Sequence, residues 1–186
     1  MGAGRHAHNS GKKLKHCPHV RGLGMEQFCV VEEDEGIGRA IRQGLRGRTG
    51  QGGVSAGHPT LLVVSPQAAR RGLHLPAACR TVLLPGDAGQ LLEGVRAASA
   101  VSYGVSPRDS LTISSREGDR LWAALQRELV TVDGQVVERQ EFPMAVPRGT
   151  RELSALAVAG ALLLLGVPPE ELDQEQTGKQ RTNLPQ

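Results

Sequence analysis

The chain has 186 residues, 39% hydrophobic and 22% charged, with only four aromatic side chains, which fits one globular domain of ordinary size and leaves too few rings for stacking on single-stranded nucleic acid. The net charge of +3 sits in the first segment: residues 1–24 hold Arg5, Lys12, Lys13, Lys15 and Arg21 and no acid, so taking those five from +3 leaves −2 for residues 25–186. The longest apolar run, residues 155–167, falls short of the ~20 residues that span a bilayer, and no membrane partner is expected.

Residues 1–24 read as a basic, disordered tail, or as a start placed too early if translation begins at Met25. His6, His8, His16, Cys17 and His19 are the donor types that bind zinc, nickel or copper. The residues between them, Asn9 to Lys15, include one apolar side chain, so adventitious metal binding is the most that is expected and no cofactor is implied. The basic start lacks an apolar stretch of signal type, and three cysteines without a framework spacing suit a reducing compartment. A cytoplasmic location is therefore expected. Nucleic acid is not expected as a partner, because the tail offers a salt-sensitive contact and nothing that reads bases.

Residues 25–57 are expected to be weakly structured. Phe28 to Val31 has strand character, Glu32-Glu33-Asp34-Glu35 ends it, and Ile37, Ala40, Ile41 and Leu45 recur at helical spacing, with Gly36, Gly38 and Gly44 making a poor helix. A glycine-rich linker follows over residues 47–57. The α/β domain is placed at residues 58–172. Thr60 to Val64 and Thr81 to Leu84 read as strands buried on both faces. Ser65-Pro66 forms a helix start, and Asp87 with Gln90 suggests a capping box for a helix whose apolar face is Ala88, Leu91, Leu92, Val95 and Ala98. Residues 100–105 and 111–114 are further strands. Asp133-Gly134 signals a type I′ hairpin with Val130 opposite Val137. Leu153 to Leu165 reads as a buried helix, and residues 173–186 as a polar disordered tail. The fold class is thus α/β: a small open sheet of βα units, then a β-hairpin and a buried C-terminal helix.

Familiar catalytic strings lack their structural setting. Gly53-Val54-Ser55-Ala56-Gly57 matches a nucleophile elbow, yet a linker precedes it and a strand follows, the reverse of the required order. Gly36-Ile37-Gly38 has no third glycine and stands behind four acids, and no phosphate-binding loop with Gly-Lys-Ser/Thr occurs. The segment from Phe28 through Leu45 resembles the start of a response-regulator receiver domain, with a strand, an acidic pair and a helix. The acceptor aspartate that the resemblance requires after the next strand is replaced by Ser65-Pro66.

A longer resemblance covers residues 81–172. Val82 to Asp87, Val101-Ser102-Tyr103-Gly104, the Asp133-Gly134 hairpin and Ala159 to Leu172 follow the order of the second half of the Mur ligase central domain. That family comprises ATP-dependent amide-forming enzymes. The phosphate loop, the first half of that domain and the domain for the incoming amino acid are absent from this sequence. Pro147 to Arg151 stands where the family has a His-Asn-x-x-Asn run. The resemblance therefore implies a scaffold without its chemistry.

The leading expectation is a non-catalytic module that binds a protein partner or a small anionic ligand. One alternative is an enzyme, or one piece of a split enzyme, with a nucleotide site at the strand ends; another is a degenerate receiver-like signalling domain. Ligand-binding candidates are Ser65, Asp87, Tyr103 and Ser106, because open α/β sheets bind ligands at the carboxyl ends of their strands. Arg108, Asp109 and Arg116 are close to them in sequence.

Overall fold

A computed structural model of the chain describes residues 28–47, 59–71, 77–118, 120–146 and 149–173. Its centre is a seven-stranded sheet. In chain order its members are β1 (Phe28–Val31), β2 (Leu61–Val64), β3 (Ala77–Pro85), β4 (Val95–Gly104), β5 (Leu111–Glu117), β6 (Arg120–Leu125) and β9 (Gln140–Ala145), and they lie side by side in that order. The first five run parallel, while β6 and β9 are antiparallel to their neighbours. The short strands β7 (Leu129–Val130) and β8 (Val136–Val137) pair separately. The helices are α1 (Ile37–Gly44), α2 (Pro66–Arg70) and α3 (Glu152–Leu164). Among the described residues, no helix is long and apolar enough to cross a membrane.

Period-two alternation divides the core between the two faces. Leu61 and Val63 join Phe28, Ile37, Ile41, Leu83, Tyr103 and Leu111 beneath α1 and α3. Leu62 and Val64 point the other way, packing with Val82, Leu84, Ala68, Ala69, Ala88 and Leu91. The runs at 60–64 and 81–84 are two-sided for this reason, which is why they lack polar alternation. α1 and α2 thus pack on opposite faces of the sheet.

Several expectations are corrected. Residues 28–47, expected to be weakly structured, supply an edge strand and a helix. Ile37 and Ile41 are 1% and 0% exposed, and this burial against α3 outweighs the poor helix propensity of Gly38 and Gly44. The helix expected after Asp87 is a 3₁₀ segment, Gly86–Gly94, with Pro85 at its cap position and no side-chain cap. Gly86, Gly89 and Gly94 weaken an α-helix there. Val95 and Ala98 belong instead to β4, whose first half pairs with the start of β3 through Ala77↔Val95 and Cys79↔Ala97.

The hairpin register also differs, with Val130 opposite Val136 and Leu129 opposite Val137. Gly134 alone takes positive φ in the turn (94°), so the turn is a three-residue type with a left-handed glycine rather than type I′. Thr131 organises it: its N–H donates to Gln135 O at 2.8 Å and its Oγ1 accepts from Gln135 N at 2.9 Å. Val132 is buried, and its N–H donates to Leu164 O at the end of α3. The helix end therefore sets the turn. Beyond it, Gly166 (φ 85°) and Val167 return N–H bonds to Leu163 and Leu162, a Schellman closure.

Candidate anion-binding cleft

The structure gives the four sequence candidates separate tasks. Ser65 is buried and caps α2, its Oγ accepting from Ala68 N at 3.1 Å. The fully buried Tyr103 donates its hydroxyl to Val64 O at 2.7 Å, which brings it to the same strand end. Burial, then the negative charge of Glu35 and of Asp87, pushes its ionisation far above the usual tyrosine range. Asp87 lies exposed in the first turn of the 3₁₀ segment. Ser106 is half-buried in the loop after β4, where its Oγ accepts from Arg108 N at 3.2 Å.

That loop is fixed by Asp109. Its carboxylate is buried and accepts from Ser106 N at 3.1 Å. It rests against Gly86 and Gly104, just beyond β3 and at the end of β4, where a methyl group on either glycine would overlap it. Neither glycine has a positive φ; they are required for close approach.

The acidic run after β1 does not converge. Glu32 accepts from Ile37 N at 2.6 Å and Gly38 N at 3.0 Å, so it caps the start of α1. Glu33 pairs with Arg71 at 2.8 Å. Asp34 is exposed with a φ of 55°. Glu35 accepts from Ser154 Oγ at 3.1 Å through Oε1, while its buried Oε2 has no hydrogen-bond partner among the described residues. No group of three or more metal-binding side chains gathers among the described residues.

Convergence occurs beside Ser154 instead. At the carboxyl ends of β1 and β2 the chain departs toward opposite faces, the arrangement that opens a crevice in α/β sheets. Further along, β4 ends at Gly104 opposite Thr112, but β5 continues to Glu117. A register shift between Ile113 and Ser115 re-aims the overhanging part, which carries Arg116. The overhang, the start of α3 and α2 enclose a cleft of about 420 Å³. Pro66, Leu121, Val146 and Leu153 give it apolar walls, and Arg70, Arg116, Arg151 and Glu152 supply its charges.

The charge balance favours anions. Arg116 pairs with Glu152 at 2.7 Å, whereas Arg70 and Arg151 have no ion-pair partner among the described residues. Arg151 also occupies the cap position of α3 without a side-chain hydrogen bond, while Glu152 in the first turn offsets part of the positive end of that helix. None of the four sequence candidates lines this space. The sequence places Arg116 in the right neighbourhood. It also marks residues 147–151 as a departure from the Mur ligase pattern, and Thr150 and Arg151 come from that stretch. Nothing local in the sequence singles out Arg70.

A second hollow, of about 470 Å³, lies between the β7–β8 turn and the end of α3; its charged lining, Asp133, Glu138 and Glu170, is acidic. His6, His8, His16, Cys17, His19 and the 53–57 string lie outside the described residues. No protein-family model and no curated protein matches this chain.

Proposed function

We propose that the protein is a non-catalytic α/β module that binds a small anion carrying an apolar body, on a scaffold resembling a degenerate Mur ligase central domain. The observation that carries this reading is the 420 Å³ cleft at the strand ends, lined by apolar side chains and by Arg70 and Arg151, which have no ion-pair partner among the described residues. Arginine suits this task because its planar guanidinium offers paired donors to a carboxylate or phosphate. Ser154, a hydroxyl in the lining, donates to the Glu35 carboxylate at 3.1 Å.

The test is a thermal-shift titration of the full chain with inorganic phosphate, nucleoside diphosphates and sugar phosphates. Saturable stabilisation of about 2.7 kcal/mol is expected with ligand a hundredfold above Kd. It should be lost in the Arg70→Ala/Arg151→Ala variant. A flat response to all three classes would overturn the reading.

A second reading, a docking surface for a protein, draws on Val130 and Val136. They are 55% and 59% exposed and sit opposite each other on the hairpin, so their side chains share one outward face. The receiver-like alternative draws on β1 and α1, since β1 lies parallel and next to β2. The divergence of the acidic run supports it less.

A further inference from the structure

We infer that Glu152 is an internal competitor, a carboxylate that occupies Arg116 until an anionic ligand displaces it. This rests on the anion-binding reading of the cleft and assigns a residue that sets its selectivity. Among the described residues that line the cleft, Glu152 is the only carboxylate, and its Oε1 lies 2.7 Å from Arg116 Nη1. Arg116 has a second contact that does not involve the carboxylate, its Nε donating to Gly118 O at 3.3 Å, which favours the same placement of the guanidinium when the carboxylate leaves. Both side chains are well exposed, 64% for Arg116 and 44% for Glu152, and an ion pair in such a setting is weak enough for a ligand to break.

Two consequences follow from the geometry. A ligand with one anionic group can use Arg70 and Arg151 and leave the Arg116–Glu152 pair intact. A ligand with a second anionic group must expel Glu152 to reach Arg116, so the pair discriminates against the more highly charged ligand. Removing the carboxylate should relax that discrimination.

The experiment measures the affinity of inorganic phosphate and of pyrophosphate for the full-length wild type, Glu152→Gln, Arg116→Ala and the double variant by calorimetric titration. Glu152→Gln should bind pyrophosphate about two- to fivefold more tightly, the scale set by an exposed ion pair, with a smaller gain for phosphate. The gain should disappear when Arg116 is already alanine. Wild type that binds while Glu152→Gln binds no tighter, or more weakly, would overturn the inference and leave the anion site standing. An equal gain in the Arg116→Ala background would also overturn it, because Glu152 would then act by general repulsion. Failure of both wild type and Glu152→Gln to bind either anion would remove the anion-binding reading and this inference with it. Circular dichroism of each variant confirms that the fold is retained.

Discussion

On one face of the sheet α3 alone contributes ten buried residues, joined by α1 and by Tyr103. On the other, the five-residue α2 and a 3₁₀ segment cover the strands with Ala68, Ala69, Ala88 and Leu91. The difference shows what each cover can bear. A long helix buried around most of its circumference has large side chains locked among neighbours. A short cover of alanines and glycine-rich turns has room to settle when an atom group is removed.

The sharpest test compares matched truncations. Leu163→Ala, at a residue with 0% exposure under α3, should cost about 4 kcal/mol, near the upper end for leucine. Leu91→Ala, at 7% exposure in the 3₁₀ segment, should cost about 2 kcal/mol because that site can collapse. Urea unfolding measures both, and equal losses would break the comparison. Next in size, Gly104→Ala should cost about 2 kcal/mol by driving a methyl group into the Asp109 carboxylate. Ser65→Ala, which removes the cap from α2 on the thinner face, should cost about 1 kcal/mol.

The smallest effect concerns pH on the thicker face. Tyr103 is the single tyrosine of the chain. Because burial raises its folded ionisation, the unfolded chain loses the proton first. Stability that depends on the neutral phenol is intact below about pH 10 and falls as pH rises above it. Tyr103→Phe should flatten this part of the alkaline profile. Phenolate absorbance in the wild type should appear only with unfolding; a rise before unfolding would show that the hydroxyl is less enclosed than its bond to Val64 O implies.

The strands buried on both faces were legible in the sequence because their side chains must all be apolar, as in Leu61 to Val64. The Ser65-Pro66 start of α2 was legible because its physics is local. Elements decided by distant partners were not. The chain at Val95–Ala98 has helical spacing, but its pairing with residues 77–79 makes it a strand. The turn at Asp133-Gly134 has type I′ composition, but the tie from Val132 to Leu164 selects another geometry. The cleft was hidden for the same reason. Arg70, Arg116 and Arg151 lie on three different elements and meet only because β5 outruns β4 and the start of α3 lies beneath the overhang.

The carboxylate set between two glycines has a consequence for how this sequence can vary. Asp109, Gly86 and Gly104 form one unit: while the aspartate is present, neither glycine tolerates a side chain, and once it is replaced by a small residue both constraints relax. Substitutions here should therefore be strongly epistatic, with Gly104→Ala harmful alone and partly rescued by Asp109→Ala. A mutational library that samples the three positions jointly would find solutions that single-site scanning discards.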